Sequence, residues 1–226
     1  DYQSDEQPQQ STPKRTMVDF EADLMRPIKV ADSSAILLVG NVVFMQYLGD
    51  DGVGAFGIVC YYTPFIFTLG NSIVQSVQPI VSYSYGNGAY DRVRKARSLM
   101  MRVSVLLGLG VTLVFVLFPE MLVALFIDIS SKAGVLAVKG MPLFASGFVF
   151  FVINICVVGY YQSVERTVPA TVVMLLRGVV LLLPCFLFLP QLIGEGGIWL
   201  ATPLAELVTT MMIVMYMLCK KIWRFR

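Results

Sequence analysis

Glu206 stands in the middle of an apolar stretch, and Thr202, Thr209 and Thr210 share its helical face. A carboxylate so placed is costly unless it is paired, hydrated or protonated, which makes it a candidate for proton or cation coupling. Arg177, in the preceding apolar stretch, supplies the competing role, a structural Arg177–Glu206 ion pair. Asn71, Gln75, Gln78 and Ser82 recur at i, i+4, i+7 and i+11, so a helix carries them on one face as a neutral polar stripe. Such a stripe lines a water-filled substrate cavity or hydrogen-bonds neighbouring helices. Asn154, a lone amide among apolar residues, has the same two readings, cavity or interhelical glue. Asn41 is a further cavity candidate. It lies nine residues beyond Asp32, about 180° around a straight helix, so the two face one cavity only if the helix is distorted near Gly40. Asp32 is read either as a second coupling residue or as an interfacial residue or helix cap with Ser33 and Ser34.

The elements that must position these groups are hydrophobic. Of the residues, 57% are apolar and 14% charged, and the mean hydropathy is +0.73, far from the roughly 25% charged residues of soluble domains. Long apolar runs without strand-like alternation leave too little polar surface to cover a domain in water, so the bilayer is the expected solvent. Runs long enough for membrane helices fall near 28–48, 53–84, 99–118, 135–160, 168–189 and 197–218. They are separated by turn chemistry: Gly49-Asp50-Asp51-Gly52, Gly86-Asn87-Gly88, Pro119-Glu120, the polar Gln162–Pro169 segment and Gly194–Gly197. The expected fold is all-α, a polytopic bundle of six transmembrane helices over 28–218. The second run is too long for a bilayer, roughly 48 Å against about 30 Å of hydrocarbon, and Pro64 and Pro79 are its expected kinks. Aromatics Tyr61, Tyr62, Phe65 and Phe67 are expected mainly at packing and lipid-facing surfaces.

Charge sets the expected orientation. Of 17 lysines and arginines, 15 fall on the side of the termini, and only Lys132 and Lys139 lie opposite. The positive-inside rule then puts both termini in the cytoplasm of a plasma (inner) membrane protein. The opposite loops carry Asp50, Asp51, Glu120, Asp128 and Glu195. Residues 1–27, polar at their start, are expected to be a disordered tail or linker, and 219–226 a basic cytoplasmic tail. The chain opens at Asp1 without a signal-like segment and is expected to be a fragment of a longer protein.

Several classes of chemistry are set aside. There is no histidine, and Cys60, Cys156, Cys185 and Cys219 are isolated among apolar residues, so neither a metal site nor a disulfide framework is expected. No phosphate-binding GxxxxGK[ST] loop occurs, which leaves an ion gradient to drive any active transport. No enzyme, resident cofactor or nucleic-acid partner is expected.

The segments Asn41-Val-Val-Phe-Met-Gln-Tyr-Leu-Gly49, Asp50-Asp51-Gly52-Val53-Gly54-Ala55-Phe56-Gly57-Ile58 and Gln78-Pro79-Ile80-Val81-Ser82-Tyr83-Ser84-Tyr85-Gly86, with the basic run from Arg92, resemble the second six-helix lobe of the multidrug and toxic compound extrusion (MATE) family. Asn154, the Leu176-Arg177 step and the segment from Gly197-Ile198-Trp199 to Glu206 extend the resemblance over about 28–218. It implies two pseudo-symmetric six-helix bundles around a V-shaped cavity, exporting organic cations or amphiphilic drugs against Na+ or H+ influx. This chain would supply the second bundle, and its partner would be the missing N-terminal lobe or a second six-helix lobe. Sodium-linked members of the family use acidic residues on the first and fourth spans of this lobe. The fourth span here has none, so coupling is expected at Asp32 and Glu206 or in the other lobe. Two alternatives stand beside drug export: a lipid-linked oligosaccharide flippase of the same superfamily, for which a strongly basic cavity would speak, and a non-transporting membrane partner.

Overall fold

In a computed structural model of the chain, the backbone is described for residues 17–223 and the side chains for residues 38–219. The chain is an all-α polytopic membrane protein, with no strand among the described residues. The elements are α1 (Met17–Gly86), α2 (Tyr90–Leu117), α3 (Pro119–Ala124), α4 (Lys132–Ala145), α5 (Phe148–Ser163), α6 (Thr167–Leu175), a π-helical turn (Leu176–Val180), α7 (Leu182–Ile193) and α8 (Glu195–Trp223). Side chains at Asp32, in the expected tail up to residue 27 and in the basic tail from Lys220 onward lie outside those described, although the backbone of α1 is already helical from Met17.

The helix α1 is two arms. Gly49, at φ 67° and ψ −160°, is its one non-helical residue, a conformation that only glycine adopts without a Cβ penalty. Phe44 and Phe56 straddle this break and stack with ring centroids 4.3 Å apart. A continuous helix would hold them about 18 Å apart, so the arms fold back on one another as an antiparallel hairpin. Asp50 and Asp51 open the second arm, where acidic side chains favour a helix N-terminus. The second arm keeps helical dihedrals through Pro64 and Pro79, so neither breaks the helix.

The other passes follow from apolar length. The stretches Leu38–Gly86, Tyr90–Leu117, Thr167–Ile193 and Glu195–Cys219 are long and apolar enough to cross a membrane, and α4 and α5, bent by 48° at their junction, reach that length and apolarity only together. The expectation of an unbroken helix over 135–160 is therefore corrected. The bend falls at Ser146-Gly147, after Pro142 and where Gly147 meets Pro203 of α8: a Cβ on Gly147 would lie 2.6 Å from the Pro203 Cα. Small residues that allow such close backbone approach are the usual packing device of membrane helices.

The core is aromatic and aliphatic. Phe44 packs edge-on to Trp199 at 4.9 Å, and Phe56 edge-on to Phe186 at 6.3 Å, tying the α1 hairpin to α7 and α8. Outward-facing surfaces carry Leu99, Leu106, Leu113 and Leu117 of α2 and Met211 and Met215 of α8, the arrangement lipid requires and water would penalise. At one end, the Tyr62 hydroxyl donates to the Leu122 carbonyl at 2.9 Å, and Tyr61 and Tyr62 both pack on Phe126. Phe65 and Phe67 are exposed. At the other, charge-rich end the Ser82 hydroxyl donates to the Ser163 carbonyl at 2.9 Å, and Val81, Val93 and Val164 cluster beneath it.

Two glycines of α2 test this packing. Gly108 is buried against Val149 of α5, whose Cα a Cβ would approach to 2.8 Å, whereas Gly110 has nothing within 4 Å. Gly108→Leu is expected to destabilise the fold by about 1–3 kcal/mol through overpacking, and Gly110→Leu to be neutral or slightly stabilising. Thermal unfolding in detergent distinguishes them. Equal unfolding temperatures for the two variants would contradict the α2–α5 contact.

Candidate functional site

Two sets of polar groups stand out among the apolar helices. The first is a buried cluster built from three passes. Glu206 of α8 is 4% exposed and Asn154 of α5 is fully buried. The Arg177 guanidinium donates to one Glu206 carboxylate oxygen, Nη2 to Oε1 at 2.7 Å and Nε to Oε1 at 3.1 Å. Asn154 Nδ2 donates to the other, Oε2, at 2.8 Å and to the Glu206 backbone carbonyl at 3.0 Å. The Thr210 hydroxyl lies 3.1 Å from Asn154 Oδ1 and 2.9 Å from the Glu206 carbonyl, two acceptors for its one proton. Both carboxylate oxygens are thus held by donors, one of them cationic, which is what burial of a charge in hydrocarbon demands.

Local sequence explains how each group arrives. Arg177 sits in the π-helical turn, closed by the Leu181 N–H donating to the Leu176 carbonyl at 2.9 Å. Pro184 lies in the first turn of α7, with no N–H for the carbonyl four residues back, so the helix widens upstream and restarts where the missing donor matters least. Such single-turn π bulges frequently mark functional positions. The guanidinium also lies over the Phe151 ring, 4.6 Å from its centroid. Beside the cluster, Glu206, Thr202, Thr63, Phe144, Gly147, Phe148 and Phe151 enclose a cavity of about 20 Å³, room for roughly one water. Thr209, on the same helix, is buried and donates to the Ala205 carbonyl at 2.8 Å.

The second set is the polar face of the second α1 arm. Gln75 and Gln78 are exposed and Asn71 is half-buried. Ile66, Val74 and Val81 on the opposite side of the arm are buried. Sequence reasoning passed over Thr68, Ser72 and Ser76, which extend this face. Their hydroxyls donate to the carbonyls of Pro64, Thr68 and Ser72, each at 2.8 Å, and all three side chains are exposed. Their i, i+4 spacing was the available signal. The structure therefore separates the cavity candidates. Asn71, Gln75 and Gln78 share the open face, Asn154 is drawn into the Glu206 cluster instead, and Asn41 is exposed on the first arm. Among the described residues no group of three or more acidic, histidine or cysteine side chains gathers to hold a metal ion, and the four cysteines are free.

Removing one partner of the buried pair leaves an uncompensated charge. Arg177→Met is expected to destabilise the protein by about 3–5 kcal/mol, and adding Glu206→Gln to recover most of that loss. Thermal unfolding of the single and double variants in detergent checks this, and an unchanged unfolding temperature for Arg177→Met would show that the pair contributes nothing.

Three solved transporters share this architecture. The chain superposes on a multidrug resistance MATE family transporter of the MOP superfamily in its outward-facing conformation with a TM-score of 0.80 and 14% identity, covering 91% of this chain and 47% of that one. For a MATE protein in its straight conformation the TM-score is 0.74 at 18% identity, covering 85% and 42%. For a MOP superfamily transporter from Pyrococcus furiosus it is 0.74 at 13% identity, covering 80% and 41%. The chain thus spans less than half the length of the transporters it matches. No curated protein sequence matches it. A sequence model of the MatE family matches residues 33–187, and since that is well over half of the chain, which also carries the fold of MATE transporters, the protein belongs to the MatE family of membrane transporters.

Proposed function

We infer that the chain is one lobe of a secondary active exporter of organic cations or amphiphilic drugs, working by alternating access against a second six-helix lobe. The observation that carries this reading is the open polar face of the second α1 arm. Thr68, Ser72, Gln75, Ser76 and Gln78 are exposed along a face that runs from the apolar depth of the bundle out to its charge-rich end, while the neighbouring outward surfaces are leucine and methionine. The hydroxyls are satisfied on their own backbone, but the exposed amides of Gln75 and Gln78 are costly in lipid and suit a wetted cavity shared with another lobe. It carries no charge, which favours amphiphilic or cationic cargo over an anionic lipid-linked sugar.

Coupling is assigned to Glu206 through Arg177. Oε1 accepts both Arg177 bonds and Oε2 one bond from Asn154, so a proton or a sodium ion that binds there competes with Arg177 for the carboxylate charge. Binding therefore frees the guanidinium and loosens the tie between α6–α7 and α8. Neutralisation is thereby converted into a rearrangement of helices, which is what an antiporter needs. Asp32 remains a second candidate for the coupling ion. The asymmetry of basic residues orients the lobe with the 87–89 and 164–166 turns in the cytoplasm of the plasma (inner) membrane.

Expression of the full-length transporter in a host lacking its own exporters is expected to lower ethidium accumulation several-fold. Glu206→Gln is expected to reduce that export by about tenfold or more under both proton and sodium gradients, and Gln75→Leu with Gln78→Leu to raise the KM for dye. Unchanged dye accumulation in a competent host would sink the export reading, and normal export by Glu206→Gln would sink the coupling role alone. For orientation, Asn87→Cys should resist and Glu195→Cys should accept a membrane-impermeant maleimide in intact cells. The reverse pattern would invert the topology.

A further inference from the structure

A cleft of about 420 Å³ lies between α2, α5 and α8 toward the charge-rich end, lined by residues of those three helices and by none of α1. It is separate from the open polar face, and its volume falls in the range of about 300–1,000 Å³ typical of ligand pockets. Its lining changes with depth. On α2, Arg94, Arg97, Ser98 and Met101 follow i, i+3, i+4 and i+7 spacing and share one face. The apolar run of α2 begins at 99, which puts Arg97 and Arg94 within roughly 3–8 Å outside the hydrocarbon, at headgroup level. Deeper in, Met101, Ile153, Val157, Ile213 and Val214 make an apolar wall, and Asn154 and Thr210 lie at the bottom.

The two arginines are free to take an anion. Arg94 meets only Asp91, at 3.5 Å, and both side chains are largely exposed, a pair worth little in water. Arg97 lies over the Tyr160 ring at 5.4 Å, and among the described residues no carboxylate is within ion-pair distance of it. Cationic mouth and apolar depth together match one class of molecule, an anionic amphiphile standing in the leaflet. We propose that the α2–α5–α8 cleft is a binding site for an anionic phospholipid, its phosphate on Arg94 and Arg97 and an acyl chain against the α5 and α8 wall. Basic pockets between transmembrane helices take anionic headgroups in this way. The site does not depend on the export reading, since its ligand is a membrane component and not the cargo. Its floor is the Asn154–Thr210 edge of the Glu206 cluster, so an occupied cleft packs against the hydrogen-bond partners of the buried ion pair and not the pair itself.

The purified full chain in neutral detergent, titrated with dioctanoyl phosphatidylglycerol and read by native mass spectrometry, tests this. Phosphatidylglycerol should be retained and phosphatidylcholine of the same chain length should not. Arg94→Gln with Arg97→Gln should weaken retention roughly 30-fold, with each arginine near an anionic headgroup contributing about 1 kcal/mol. Val214→Trp, at a position 49% exposed, should fill the apolar part and abolish retention with both arginines in place. Unchanged unfolding temperatures establish that the variants are folded. Equal retention of phosphatidylcholine, or retention that survives both sets of substitutions, would overturn the site. Displacement of the lipid by millimolar inorganic phosphate would make it a free-phosphate site and overturn the lipid assignment.

Discussion

A carboxylate in hydrocarbon needs a cation, and much of this lobe is arranged around the one that Glu206 finds. Arg177 must reach it from the preceding pass, and the π-helical turn at Leu176–Val180 gives the guanidinium its position. Asn154 must reach the second oxygen from α5, which requires α5 and α8 to cross closely. Gly147 and Pro203 permit that crossing, and the bend between α4 and α5 falls where they touch. The π-helical turn and the close crossing of α5 and α8 both lie where they position partners of one charge. In water such a pair would contribute little. At 15% and 6% side-chain exposure, loss of either partner strands the other, so the geometry of three passes depends on one ion pair and the amide beside it.

The rest of the lobe follows from an inverted solvent. Leucine and methionine on α2 and α8 face outward, and the tight core of Phe44, Phe56, Phe186 and Trp199 is held by close packing. Against that background a polar surface is the anomaly. The second α1 arm hides its hydroxyl donors on its own backbone at Thr68, Ser72 and Ser76 and leaves the amides of Gln75 and Gln78 exposed. A lipid-facing helix has no use for those amides, whereas one that borders water does.

Much of the architecture was legible because apolar run length and turn chemistry are local properties. The Gly49-Asp50-Asp51-Gly52 turn separates two helices because glycine tolerates φ 67° and the aspartates favour a new N-terminus. Proline was a poorer guide. Pro64 and Pro79 pass through a helix that stays helical, while the bend after Pro142 is fixed by a contact with Pro203 some sixty residues away. A proline removes one hydrogen bond, and what packs beside it decides whether the axis turns. Asn154 shows the same limit. Its spacing cannot reveal a partner on α8 fifty-two residues later, so an isolated amide reads equally as cavity wall or glue. Thr68, Ser72 and Ser76 had a visible period, but hydroxyls that can bond their own backbone send a weak signal in a sequence.

The position of the cluster limits how a signal could leave it. Glu206 borders a cavity of about 20 Å³ on one side, while Asn154 and Thr210 form the floor of the 420 Å³ cleft on the other. One carboxylate thus sits behind a single amide that separates a water-sized space from a much larger opening at the charge-rich end. An ion reaching Glu206 from that end must pass Asn154, whose two polar atoms are already committed to Glu206 and Thr210. Rotation of that amide would open the route and break the network in one movement. The Arg177 bonds to Oε1 do not run through Asn154, so the barrier to that rotation is the cost of leaving a buried amide and one carboxylate oxygen unpaired.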